Sequence, residues 1–369
     1  MSRSKITLAC IVLTLLVLVT LYFFSPNYGY HDIEGNHEYT ISDNTTNDVF
    51  EPVLPNDDVT LPNAFQAQRE FKHGVWHFFA NVIDHSGNKF GIQWSFYRIG
   101  HSESITHGWS NTDLYIAYIV ISNDKRVWKQ QRIARGGIGQ AGILPTPFRL
   151  WVDNWQWNAK GSAPLPGVLS VTTDDFSIEL NTVKSGPMII SGDGGYVKKH
   201  DLLPIASKRI IAPFLDVVGE MQLDQETIIS FSGSGWMSKE WGNQVVPERN
   251  QKGLNLAFKL DNGSNLFIER YHPKGQSEFL TGQLVRIDGT SVILKTEDIK
   301  LSPIKDTSSG GLPLTWSLSL PKYDIELKTQ VLNKKLWLPF TLPYWEGAVY
   351  ATGTHTAAGF MQLTGFEEK

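Results

Sequence analysis

The sequence predicts an all-β body, a meandering antiparallel sandwich or barrel, behind one N-terminal membrane helix. Three observations predict the body. Apolar residues alternate with a period of two, tight-turn residues fall at hairpin spacing, and long amphipathic helical stretches are scarce after the first thirty residues. Ile92, Trp94 and Phe96 alternate with Gln93, Ser95 and Tyr97. Ile325, Leu327, Thr329 and Val331 alternate with Glu326, Lys328 and Gln330. Such alternation marks strands with one buried face. Ser86-Gly87-Asn88, Asn262-Gly263 and Asp288-Gly289 sit between strands, and Asn-Gly or Asp-Gly accepts the positive φ of a tight hairpin.

The membrane helix is predicted from Ile6 to Phe24, an uncharged run preceded by Arg3 and Lys5. At ~1.5 Å per residue this run spans a hydrocarbon layer of ~30 Å. Positive charge on its N-terminal side keeps that end in the cytoplasm and sends the body outward. Bulky Leu21-Tyr22-Phe23-Phe24 leaves no small-residue cleavage signal, so the reading is an uncleaved anchor over 1–26, with a cleaved signal as the alternative. Cys10 precedes most of the apolar run, the reverse of a lipoprotein signal. Residues 27–61, rich in Asn, Asp, Gly, Thr and Pro, read as a flexible linker.

Composition narrows the function. The 369 residues are 41% hydrophobic, enough for a sizeable core. A net charge of −4 argues against a nucleic-acid partner. Cys10 is the sole cysteine, which excludes an intrachain disulfide or a cysteine metal site. Twelve Trp, nineteen Phe and twelve Tyr suit apolar pockets as well as cores. A hairpin-like stretch from Val75 to Arg98 is echoed by Leu254 to Tyr271, consistent with two related β domains, placed at 62–216 and 217–369.

Several chemistries fail on inspection. Gly137-Ile138-Gly139-Gln140-Ala141-Gly142 fits the dinucleotide fingerprint, yet Pro145 and Pro147 prevent the helix it must open, so it reads as a loop. His73 and His77 share a strand face but lie ~13 Å apart, too far to grip one metal ion. No nucleophile elbow surrounds Ser234. Aromatic-carboxylate clusters remain. Trp151, Trp155 and Trp157 are expected on one strand face with Asp153 between the first two. Glu240 lies beside Trp236 and Trp241, and Glu346 beside Trp345. A carboxyl in an apolar aromatic setting has its pKa raised and can donate a proton. The plainer reading makes these indoles core filler.

The segments FGIQWSFYR (Phe90 to Arg98), QRIARGGIGQAG (Gln131 to Gly142), WVDNW (Trp151 to Trp155), SGDGGYVKK (Ser191 to Lys199), GSGWMSKEWGNQ (Gly233 to Gln244), YWEGAVYATG (Tyr344 to Gly353) and GFMQLTGF (Gly359 to Phe366) carry a family resemblance. Together they resemble the carotenoid 1,2-hydratase/AttH-like family. The resemblance implies two consecutive lipocalin-like (calycin) antiparallel β-barrel domains and a cleft for an apolar ligand at or between them. Within this family the chain looks most similar to envelope proteins associated with ABC-type transporters. The departures weigh against hydratase chemistry. Ser238 stands where the family usually has an acid, and Gly74-Val75-Trp76-His77 lacks an acid and an indole.

The resemblance and the anchor together imply a periplasmic protein, held by a single pass in the inner membrane, that binds an apolar small molecule or lipid. Such a protein would be accessory to a transport system, with a permease as possible partner and no cofactor or metal. The alternatives are a hydratase or cyclase acting on an isoprenoid-like or polyketide-like substrate, and a docking protein without a ligand. The site is expected where the domains meet, with Trp76, Gln93, Tyr115, Trp155, Trp236, Trp241 and Trp345 as ligand contacts. In an enzyme, Glu240 and Glu346 are the acids. Arg98 and Arg132 are expected to form structural ion pairs with the clustered carboxylates, and Asp193-Gly194 to serve a turn.

Overall fold

The computed structural model describes residues 50–57, 59–101, 111–245, 251–273, 275–304 and 311–366. The chain divides into two units, Met1–Thr45 and Thr46–Lys369, and every described residue belongs to the second. The expected membrane segment lies outside the described residues. Among them no helix is long and apolar enough to cross a membrane.

The body is all-β, as the period-two pattern predicts. A first sheet holds β1 (His73–Asp84), β2 (Lys89–Ile99), β3 (Leu114–Ser122), β4 (Val127–Arg135), β5 (Ala141–Pro145), β6 (Phe148–Val152) and β7 (Trp155–Ala159). It continues with β8 (Gly167–Thr172), β9 (Phe176–Lys184), β10 (Ile189–Ile190), β11 (Tyr196–Lys198), β12 (Ala206–Leu223) and β13 (Ile229–Gly242). The second sheet holds β14 (Gln251–Leu260), β15 (Asn265–Pro273), β16 (Phe279–Val285), β17 (Ser291–Leu294) and β18 (Lys300–Pro303). Its remaining strands are β19 (Trp316–Leu320), β20 (Ile325–Val331), β21 (Trp337–Leu338), β22 (Tyr344–Gly353) and β23 (Ala357–Thr364).

Both sheets follow one plan. In each, four strands meander and the first strand pairs with the last: β1 with β13, and β14 with β23. Each sheet therefore curls around its own apolar core, and only its ends, β4 and β5 or β17 and β18, lack a shared ladder. The echo between Val75–Arg98 and Leu254–Tyr271 corresponds to the opening hairpin of each sheet. The change of sheet falls between Gly242 and Gln251, later than the boundary expected at Val217. Strand β12 runs through that point and pairs with β13 inside the first sheet.

The turns follow the sequence chemistry. Gly87, Gly263 and Gly289 adopt φ of 82°, 82° and 86° at the three predicted hairpins. The Gly-rich motif is a loop leading into β5, with Gly137 and Gly139 at φ of 88° and 85°. The expected single face of Trp151, Trp155 and Trp157 is a correction. Asp153 takes a left-handed φ of 54° and a tight turn separates β6 from β7, so Trp151 lies on the outside while Trp155 and Trp157 are buried. A short-chain residue that tolerates positive φ converts one apparent strand into a hairpin.

The barrels pack wall to wall. From Phe90 to Ile99 every residue of β2 is buried, as is every residue of β3 from Tyr115 to Ser122. Their even and odd positions face different interiors. Ile92, Trp94 and Phe96 join the first core, whereas Tyr97, Tyr118 and Val120 join the second. Gly91 marks a close approach: a Cβ there would lie 2.9 Å from the Cβ of Ala348 on β22. Gly91→Val should therefore force the walls apart and destabilise the chain by roughly 1–3 kcal/mol, the usual cost of overpacking. Urea denaturation checks this, and an unchanged midpoint would contradict the wall-to-wall contact.

Candidate functional site

The junction between the barrels is lined by outward-facing residues of β1, β2 and β13 on one side and of β15, β22 and β23 on the other. His77 projects from β1 and its Nε2 lies 3.0 Å from Oε1 of Glu346 on β22. The Glu346 side chain is fully buried, while that of His77 is 12% exposed, so the histidine is the member of the pair that reaches outward. The Gln93 side-chain amide donates to the Glu346 carbonyl at 3.0 Å. Aromatic rings close the surroundings: Trp236 and Phe360 meet the imidazole edge-on at 5.6 and 5.3 Å, and Phe79 stacks on Phe360 at 4.6 Å.

Buried polar atoms here that make no hydrogen bond include Glu346 Oε2, Gln93 Oε1, Trp236 Nε1 and His77 Nε2, whose contact with Glu346 Oε1 is one of ion-pair distance. Buried polar atoms are ordinarily paired, so this group, two acceptors, an indole donor and an imidazole nitrogen, is suited to a hydroxyl-bearing ligand or a water. Tyr97 and Tyr344 adjoin the pair. Burial, then the neighbouring Tyr118 and Glu346, push the Tyr97 hydroxyl well above the usual phenol range. Burial, then Tyr97 and Glu346, do the same for Tyr344. Both remain neutral donors at physiological pH.

Glu240 occupies a different environment on the same face of β13. Lys199 forms an ion pair with it, and Arg209 lies at 3.8 Å. Burial alone would raise this carboxyl, but Lys199 and Arg209 together hold it below the ordinary glutamate range. Arg209 in turn grips Glu269 of β15 with two hydrogen bonds of 2.5 and 2.7 Å, and the Tyr271 hydroxyl donates to Glu269 at 3.2 Å. Glu240 is thus an ionised member of a clasp between barrels, which removes it as the expected proton donor.

The other expected residues divide between chambers. Gln93, Trp236 and Glu346 meet at the junction. Trp76 and Trp241 face the first barrel's interior. So does Tyr115, whose hydroxyl lies 3.4 Å from Asp113 and is pushed up to about 12 by burial and that carboxylate. Trp155, also in that core, donates to the Thr172 carbonyl, and Trp345 is buried in the second barrel, donating to the Lys334 carbonyl. Arg98 pairs with Asp113, outside the aromatic clusters, at 3.0 Å, whereas Arg132 lies 3.6 Å from Asp153 as expected. Asp193 closes its turn by bridging to Tyr196. His77, Phe79 and Phe360 were absent from the sequence expectation. The signal for His77 was the parity of β1, in which odd positions point away from the first core.

With this geometry established, the comparisons fall into place around a lipocalin-like, AttH-type protein. The AttH-like family profile matches residues 52–366, and the chain belongs to that family. Among solved structures, the AttH protein NE1406 from Nitrosomonas europaea superposes with a TM-score of 0.76 at 23% identity, covering 86% of this chain and 99% of that one. Kievitone hydratase from Nectria haematococca gives 0.64 at 11% identity, covering 86% and 96%. CghA, in a structure with Sch210972, gives 0.53 at 12%, covering 86% and 95%. These likenesses establish a shared fold. A search of curated proteins returns no match.

The Glu240 clasp predicts an acid-limb effect. A carboxyl whose pKa is lowered in the folded state adds stability above its unfolded pKa and loses it as pH falls through the folded value. Glu240→Gln should therefore flatten the loss of stability below the ordinary glutamate pKa, read as thermal midpoint against pH. An unaltered acid limb would place Glu240 outside the clasp.

Proposed function

We propose that the junction binds an apolar, unsaturated molecule of isoprenoid-like or polyketide-like character and catalyses proton transfer to it. His77 and Glu346 form the acid-base pair in this reading. The observation that carries it is their 3.0 Å contact inside an aromatic wall. An imidazole backed by a buried carboxyl is suited to giving and retaking a proton. Protonation of a carbon–carbon double bond creates a carbocation, and the faces of Trp236, Phe79 and Phe360 are placed to stabilise positive charge. A water held by Gln93 Oε1 or Glu346 Oε2 would add to that cation and return its proton to the pair. Capture by a second double bond of the same molecule would instead close a ring, and the new cation would lose a proton back to the pair. The first outcome is the one that the name of one structural neighbour, kievitone hydratase, describes for that protein, with which this chain shares its fold.

Placement of this body outside the inner membrane on a single N-terminal pass belongs to the same proposal and rests on Ile6–Phe24. The transporter association finds no support in the fold or in the comparisons.

The test is incubation of the full chain with a panel of prenylated and terpenoid alkenes in deuterium oxide, followed by mass spectrometry. Turnover should place deuterium at carbon, and His77→Asn or Glu346→Gln should lower its rate by roughly 10²–10⁴, the usual worth of a positioned acid or base. Binding without any exchange, or exchange untouched by both substitutions, would sink the enzymatic reading and leave a ligand-binding junction.

A further inference from the structure

We propose that the interior of the first barrel is a second ligand site, for an apolar molecule bearing a carboxylate, and that the segment Thr60–Gln68 is its displaceable cover. The carrier is Lys239, on the face of β13 opposite Glu240. Its side chain is fully buried among the first core's aromatics, with Nζ 4.8 Å from the Trp76 ring centre and 4.6 Å from that of Trp241. No carboxylate among the described residues forms an ion pair with it. Its hydrogen bonds go to two backbone carbonyls, those of Ala64 and Gln66. Burial pushes the ammonium well below the usual lysine range, and Glu70 acts against that only through space.

A buried cation without a counter-ion is costly, and proteins ordinarily pair it. Here the missing acceptor is supplied by the cover. Two carbonyl oxygens from residues two apart converge on one ammonium, the arrangement that the two oxygens of a carboxylate would reproduce with a full negative charge added. Ala64 and Phe65 are buried beside them in the first core, so Phe65 stands where the apolar body of a ligand would lie. Trp76 Nε1 and Trp94 Nε1, buried in the same chamber, have no hydrogen-bond partner. All these groups are donors, which selects an acceptor-bearing ligand.

Besides the burial of Ala64 and Phe65, the cover is held by few polar contacts. From Thr60 to Gln68 its other hydrogen bonds are internal, such as Ala64 N–H to the Thr60 carbonyl and Gln66 N–H to that of Asn63. Among the described residues, Lys239 makes the polar contacts that tie this stretch to the barrel wall. Firm attachment resumes at Arg69, which pairs with Asp113 at 2.8 Å, and at Phe71, whose carbonyl accepts from Arg98. A carboxylate that takes Lys239 releases the stretch between.

The probe is cis-parinaric acid, compared with its methyl ester, titrated into the full chain by fluorescence. The acid should bind at least about tenfold more tightly than the ester, because a charge-assisted contact replaces a neutral one. Lys239→Met should abolish that preference, and Phe65→Ala should tighten acid binding by loosening the cover. Amide hydrogen exchange across residues 60–68 should quicken when the acid binds. Should Lys239→Met fail to fold, the acid-ester comparison and the exchange experiment on the unaltered chain decide. No binding, equal binding of acid and ester, exchange unchanged by bound acid, or binding lost on His77→Ala with the acid preference kept in Lys239→Met would each overturn the proposal.

Discussion

The two barrels share a wall, and the rest of the structure depends on how that wall is made. A strand between two cores must bury both faces, so its alternating residues cannot be apolar on one side and solvated on the other. Strands β2, β3 and β22 meet this demand with nearly continuous burial. Polar side chains that fall on the shared wall must then find partners across it. Gln93 reaches the Glu346 carbonyl, His77 reaches the Glu346 side chain, and Asn81 donates to the Gly359 carbonyl. The candidate site is a place where this pairing is incomplete.

Strand β13 shows the consequence in its side-chain order. Met237, Lys239 and Trp241 turn into the first barrel, while Trp236 and Glu240 turn to the junction. One strand thus serves two chambers with opposite chemistry. The junction holds a carboxyl-imidazole pair, and the barrel interior holds an unpaired ammonium between indoles. The charged clasp fixes the relation between them. Removing one partner of a buried pair such as Arg209–Glu269 costs about 3–5 kcal/mol, whereas exposed Arg126–Asp224 is worth about 0–1 kcal/mol. The buried pair holds β12 against β15 beside an apolar cluster that includes Ile211, Phe214 and Phe267.

Local chemistry made much of the fold legible from the residues alone. Hairpin glycines, the alternation in β2 and β20, and the looped Gly-rich motif all follow from φ preferences and from which face is buried. What escaped depends on contacts distant in sequence. The indole run from Trp151 to Trp157 looks like one strand until Asp153 turns it. Val217 looks like a boundary because nothing local says that β12 must continue to pair with β13. Glu240 and Glu346 look alike beside their tryptophans. They differ because Lys199 and Arg209 reach the first, whereas the second faces a histidine from the other barrel. Lys239 looks like a solvated charge until the parity of β13 places it inside.

The same contacts bear on the acid that the family pattern leads one to expect at position 238. Ser238 is in register with His77 across the β1–β13 ladder, so an acid there would project into the junction beside the imidazole. In this chain the carboxyl that meets His77 comes from Glu346, on the opposite barrel. Absence of an acid from position 238 therefore still leaves a carboxyl beside the imidazole at the junction. A hydroxyl at 238 also avoids setting a second carboxyl against a buried Glu346, where like charges would repel. In the proposed reading the serine and the histidine act together: the imidazole takes up the neighbour of Glu346, and proton transfer is shared between the two barrels.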